Sequence, residues 1–113
     1  MGQGALSEGS GDQLVEILAA LASPHRLRVL AALTGGRVYV SQLARDLGIS
    51  RALLQVHLKK LEKAGLVTAH LELSEDGKAL KFYEAAPFSV HLTPAMVARA
   101  ATTLSTPTEK GSS

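Results

Sequence analysis

At 113 residues and a formal charge of +2, the chain has the length of one domain with one modest core, a surface-rich build that favours association with a second copy. It contains no cysteine, which excludes disulfides and thiolate metal sites and fits a reducing, cytoplasmic setting. No apolar stretch reaches the length of a membrane span, and MGQGALSEGSG lacks the basic-then-apolar pattern of a leader, so neither is expected.

Residues 1–11 are rich in Gly and Ser and residues 105–113 in Ser and Thr, so both read as tails around a single domain at 12–104. Asp12 is the expected N-cap of a first helix, 12–22. There Leu14, Val15, Ile17, Leu18 and Leu21 wrap much of the circumference. A helix apolar nearly all round is covered on two sides, and a partner subunit is the expected second cover; the alternative is one deeply buried core helix. Ser23-Pro24 starts a second helix, with a hydroxyl cap and a proline whose missing N–H costs nothing there. Leu27, Leu30, Ala31 and Leu33 are its expected inner side. Gly35 and Gly36 end it, and Arg37 to Val40 reads as a brief strand or extended link.

The most informative stretch is Ser41 to Val67, SQLARDLGISRALLQVHLKKLEKAGLV. Ser41 is expected to cap a helix that carries Leu43, Ala44 and Leu47 inward. Gly48 stops it, Ile49 plugs the corner and Ser50 caps the next helix. In that helix Leu54, Leu58 and Leu61 form an apolar stripe, while Arg51, Gln55, Lys59 and Lys63 recur at steps of four on another face. This pattern predicts a helix-turn-helix whose second helix can sit in a core and lie in a DNA major groove. Local charge supports that use over an ordinary solvated helix face. Between Arg37 and Gly65, Arg37, Arg45, Arg51, Lys59, Lys60 and Lys63 oppose only Asp46 and Glu62, and the remainder of the chain is net acidic.

After Gly65 the period becomes alternating, with Val67, Ala69, Leu71 and Leu73 on one face and Thr68, His70 and Glu72 on the other. Ser74 to Gly77 is a turn containing Asp-Gly, and Lys78 to Ala86 returns with Leu80, Phe82 and Glu84 in alternate register to Lys81 and Tyr83. A hairpin directly after a recognition helix is a wing. Lys78 and Lys81 could reach phosphates from it, but Glu75 and Asp76 at its tip would be repelled. Thr93-Pro94 opens a last helix, 94–104, with Val97, Ala101 and Leu104 in one stripe and Met96 and Ala100 beside it. It is expected to join residues 12–22 in a dimer interface, the alternative being a helix packed only on its own domain.

The fold class is therefore mainly α with a small β-hairpin, in the order α-α-(β)-α-α-β-β-α. This order resembles the ArsR-type winged helix-turn-helix regulators: SPHRLRVLAAL is similar to the family's second helix, and VSQLARDLGISRALLQVHLKKLEKAGLV to its helix-turn-helix with the HLKKLEKAGLV ending. The resemblance spans roughly residues 12–104 and implies a homodimer that binds an operator as a repressor, often released by a ligand or metal. Metal-sensing members carry a cysteine pair at positions matching Tyr39 and Ser41 here, and another type needs carboxylates and histidines on the last helix, which has none. A metal site or other cofactor is not expected.

His25, His57, His70 and His91 show no ligand spacing. His57 resembles a histidine common in the family, placed to meet a phosphate or pack on the neighbouring helix; His70 and His91 read as isolated. No catalytic triad, phosphate loop or carboxylate pair is legible, so an enzyme is not expected. The expected function is sequence-specific binding of double-stranded DNA. Arg51 and Gln55 read base edges, Ala52 and Val56 give apolar contact, Ser41, Lys59 and Lys60 hold phosphates, and Ser50 opens the reading helix. The rivals are a winged-helix protein-interaction module using the acidic wing tip, and a regulator with a small-molecule effector bound near Tyr39, Phe82, Tyr83 and Phe88.

Overall fold

The computed structural model describes residues 10–105. Its elements are α1 (Gly11–Leu21), α2 (Pro24–Leu33), β1 (Val38–Tyr39), α3 (Val40–Leu47), α4 (Arg51–Lys63), β2 (Val67–Leu73), β3 (Ala79–Ala85) and α5 (Pro94–Ala101). Of the expected tails, residues 1–9 and 106–113 lie outside the described residues.

Hydroxyl caps set four of the five helix starts. Ser10, Ser23, Ser50 and Thr93 accept from the backbone N–H three residues on, each bond satisfying a donor the helix cannot, for about 1 kcal/mol. Two expected caps are corrected. Asp12 lies inside the first turn of α1, and its carboxylate accepts from the backbone N–H of Ser105 at 3.0 Å and from the Ser105 hydroxyl. Ser41 is the second residue of α3, because β1 runs straight into that helix and Tyr39, held by strand pairing, takes the cap position without a side-chain bond.

The core is shared by every helix except α5. Ile17 and Ala20 of α1, Val29, Leu30 and Leu33 of α2, Val40, Leu43 and Ala44 of α3, and Leu54, Leu58 and Leu61 of α4 close on Leu66, just before β2, and on Val67 and Tyr83 of the sheet. Full burial of each Leu contributes about 1.5–3 kcal/mol. The inner side of α2 differs from expectation: Leu27 and Ala31 are exposed, and Val29 is buried with Leu30 and Leu33. Stepping back from Leu33 by three and four residues reaches Leu30, Val29 and then Arg26, so the helix is seated on a stripe whose N-terminal member is a cation.

The sheet has three strands in the order β1-β3-β2, all antiparallel, so the short link before α3 joins the hairpin as an edge. Val38 faces Tyr83 and Tyr39 faces Phe82, while Val67 to Leu73 pairs with Ala85 back to Ala79. Alternation along β2 holds, but only Val67 and Ala69 reach the core; Leu71 and Leu73 project past it and are 72% and 74% exposed. Lys78 belongs to the turn, where Gly77 takes φ +86, a conformation that favours glycine.

Helix α5 packs on α1 at close range. The Gly11 N–H donates to the Thr103 hydroxyl at 2.7 Å, and a Cβ on Gly11 would lie 2.1 Å from the Ala100 carbonyl oxygen. Met96 and Ala100 are half-buried, whereas Val97 and Ala101 are exposed, and Leu104 is exposed with its end against Gly11.

Candidate nucleic-acid interface

The α3-turn-α4 unit is fixed by its corner. Gly48 takes φ +68 at the end of α3, the Ile49 N–H returns to the Ala44 carbonyl at 3.1 Å, and Ser50 Oγ accepts from the Leu53 N–H at 3.0 Å. A left-handed C-cap followed at once by a hydroxyl N-cap turns the chain in three residues. Leu54, Leu58 and Leu61 then bury one side of α4 completely, which forces the opposite side into solvent.

That outer side carries Ala52, Val56, Lys59 and Lys63, all exposed. The expected row of four does not keep to one face: each step of four residues overshoots a full turn by about 40°, so three steps wind it about 120° around the helix. Arg51 consequently begins at the edge next to α3 and β3, Gln55 is half-buried, and Lys63 ends near α1, its ammonium 3.8 Å from the Glu16 carboxylate. Lys60 turns the same way and lines a pocket of about 250 Å³ with Glu16, Arg26 and Lys63. Leu53, 42% exposed, also stands on this helix and was not singled out by the sequence pattern, because it breaks the apolar stripe.

The structure thus divides the expected contact residues. Ser41, Arg51 and Lys81 meet, with Gln42, Arg45 and Leu80, around an open groove of about 390 Å³ between α3, the start of α4 and the wing. Arg45 donates to Gln42 at 2.7 Å, and Gln42 to the Asp46 carboxylate at 2.7 Å, a chain along α3 that orients the guanidinium and occupies the acid. Ala52, Val56 and Lys59 form the outer face of α4, Ser50 is its exposed cap, and Lys60 stands apart toward α1. Lys78 is exposed at the wing turn, and the Lys81 ammonium lies 5.5 Å over the Tyr83 ring.

The wing tip is anionic. The Ser74 hydroxyl donates to the Asp76 carboxylate and holds its pKa below the usual carboxylate range, so Asp76 keeps its charge at neutral pH beside the exposed Glu75. At the wing base, Phe82 is covered by Arg37 at 4.3 Å, by the edge-on Tyr39 ring at 5.6 Å and by the stacked His70 ring at 5.0 Å. The Tyr39 hydroxyl donates to Glu72 at 2.6 Å; that bond, with burial and the negative charge, raises the Tyr39 pKa. His70, expected to be isolated, meets Glu84 at 3.0 Å across the hairpin, because antiparallel register sets Thr68 and His70 beside Glu84 and Phe82. This cluster ties β1, and with it the start of α3, to the wing. Phe82 and Tyr83 lie on opposite faces of β3, so the four expected aromatics do not share one site.

His57 packs inward from α4 rather than toward a phosphate. Arg26 reaches it from α2: Nη1 stands 3.4 Å from His57 Nδ1, while Nε and Nη2 donate to the Ala20 and Ala19 carbonyls at 2.7 and 3.2 Å. Burial, followed by Arg26, His25 and Lys60, lowers the His57 pKa. Among the described residues no helix is long and apolar enough to cross a membrane.

A tight α3-turn-α4 unit followed by a two-stranded wing, with its cationic outer side held off the core, defines a winged helix-turn-helix domain. Comparison with known proteins agrees: a family model described as a helix-turn-helix domain matches residues 21–70. An uncharacterised HTH-type transcriptional regulator of Methanocaldococcus jannaschii is 34% identical over 79 residues, 70% of this chain and 82% of that one. The HTH-type transcriptional regulator CmtR of Mycobacterium tuberculosis is 47% identical over 53 residues, which are 47% of this chain and 45% of CmtR. In structure, the chain is similar to a homodimeric winged helix-turn-helix DNA-binding domain of Mycobacterium bovis, described as a possible ArsR-family regulator. The TM-score is 0.60 at 25% identity, covering 80% of this chain and 74% of that one. The chain belongs to the HTH-type transcriptional regulators, of the ArsR-like winged-helix kind. Its relatives are regulators, not enzymes.

Proposed function

We propose that the protein is a homodimeric, sequence-specific DNA-binding repressor whose α4 enters the major groove. The observation that carries this reading is the outer side of α4, where Ala52, Val56, Lys59 and Lys63 stand exposed with Arg51 at the edge of a groove lined by Arg45 and Lys81. Guanidinium and amide groups match base edges, and ammonium groups match phosphates. Arg51 and Gln55 read bases, and Ala52 and Val56 contact thymine methyls. Ser41 and Lys59 hold phosphates, with Lys60 and Lys81 at the margins and Lys78 reaching the backbone from the wing. The acidic tip stays off the duplex.

Dimerisation through residues 12–22 and 94–104 is supported by the exposed apolar groups those segments share. Val15 and Leu18 on α1, Val97 on α5 and Leu104 just beyond its end are 54%, 36%, 50% and 44% exposed. A twofold pair would set two α4 helices about 34 Å apart, on successive turns of a pseudo-palindrome. Occupation of a promoter by such a pair acts by exclusion, which favours repression.

A cysteine metal site is ruled out by composition. Among the described residues no three His, Asp or Glu side chains are grouped to hold an ion.

The test is a salt titration of binding to mixed-sequence duplex DNA. A steep fall of affinity with salt supports the reading. Negligible binding at low salt overturns it and favours a protein-docking module.

A further inference from the structure

We propose that the Arg26-His57 contact makes the seating of α4 sensitive to pH, so that the protein releases DNA on acidification; this rests on the DNA-binding reading above. His57 is 9% exposed, on the inner side of the helix whose outer side carries Val56 and Lys59. A guanidinium only donates, so at 3.4 Å from Arg26 Nη1 the His57 Nδ1 is an acceptor and carries no proton. The ring proton is then on Nε2, which is buried with no partner among the described residues.

A second proton has one place to go. It would land on Nδ1, turn the acceptor into a donor aimed at another donor, and set two cations side by side. The surroundings offer no compensation. From α2 the ring meets Arg26 and, stacked at 5.5 Å, His25; from α4 itself it meets Lys60. The nearby carboxylate on α1 is Glu16, which lines the pocket with Arg26 and Lys60 but stands 3.8 Å from the Lys63 ammonium. Arg26 is also the group that closes the end of α1, through the Ala19 and Ala20 carbonyls. Displacing its guanidinium therefore loosens α1, α2 and α4 where they meet.

The sign follows from the lowered pKa. Unseated, His57 titrates near the ordinary imidazole value of about 6.5; seated, it resists protonation. Above that value both states are neutral and seating is unaffected. Below it the unseated state takes up the proton, and the equilibrium moves away from the seated helix, by up to about tenfold per pH unit for one proton. Simple charge counting predicts the reverse, since acidification makes the chain more positive and tightens binding to phosphate.

The test measures binding of the full chain to a mixed-sequence duplex of about 30 base pairs at fixed low salt, from about pH 7.5 to about pH 5. The wild type is compared with His57→Gln, whose amide oxygen can accept from Arg26 without titrating. Thermal stability is followed over the same range. The proposal expects the wild type to lose affinity below pH about 6.5, by no more than about tenfold per pH unit, while His57→Gln holds or tightens, and wild-type Tm to fall relative to the variant over that window. Equal pH profiles for the two proteins, or acid tightening of the wild type, overturn it. If neither binds DNA at any pH, the DNA reading fails, and the Tm profiles alone decide whether the contact is acid-labile. If His57→Gln is unfolded at neutral pH, Arg26→Met, whose side chain cannot donate, serves: persistence of the wild-type acid loss without the Arg26 donor contradicts the proposal.

Discussion

Replacing Lys59 by Ala isolates the electrostatic part of the proposed contact. Lys59 is exposed on the outward face of α4, away from the core, with no ion-pair partner among the described residues, so its removal leaves the fold untouched. Each phosphate neutralised releases condensed counterions and steepens log Kobs against log salt by about 0.9. In a twofold dimer the variant loses two such contacts, so the slope should flatten by about 1.8, with weaker binding at low salt for every sequence alike. Fluorescence anisotropy on one mixed-sequence and one selected duplex, titrated from low to high salt, reads both quantities. By contrast, Lys63→Ala should flatten the slope less, because Glu16 already partners that ammonium. An unchanged slope for Lys59→Ala, or a loss confined to one sequence, would refute the placement of Lys59 against the backbone.

Arg51→Ala should cost on the order of 1–3 kcal/mol per half-site and relax sequence choice at one position, measured by selection of bound duplexes. Glu75→Gln with Asp76→Gln should leave specific affinity within about twofold, since the tip is proposed to stand off the duplex, while strengthening non-specific binding slightly; a loss of binding would place the tip in the contact. Gly11→Ala drives a methyl to 2.1 Å from the Ala100 carbonyl oxygen and 2.9 Å from Leu104. Overpacking of this kind costs about 1–3 kcal/mol, visible as a lower Tm and a dimer that dissociates at higher concentration. An unchanged Tm would mean α1 and α5 do not close as described.

The parts of the fold legible in the sequence were those fixed by local chemistry. Gly48 and Ser50 specify the corner between α3 and α4 from single residues, and the Leu54-Leu58-Leu61 spacing specifies which side of α4 is buried. What failed depended on distant partners. Ser41 looked like a cap because nothing local shows that β1 pairs with β3 and carries the chain into α3. The inner side of α2 is ambiguous in spacing alone: Leu27, Leu30 and Ala31 fit one stripe and Val29, Leu30 and Leu33 another, and packing on the other helices decides for the second. His70 and Arg37 seemed unremarkable until register placed them over Phe82. In the contact set, residue types were informative but direction was not: a four-residue step drifts around the helix, which separates Arg51 from Lys63 and turns Lys60 toward α1.

The most direct test is backbone amide mapping by NMR as duplex DNA is added to the full chain. Shifts concentrated on Ser50 to Lys59, at the start of α3 and on Lys81, with Glu75 and Asp76 unmoved, are the expected result. Shifts centred on the wing tip and on Leu71 and Leu73, with α4 silent, would contradict it.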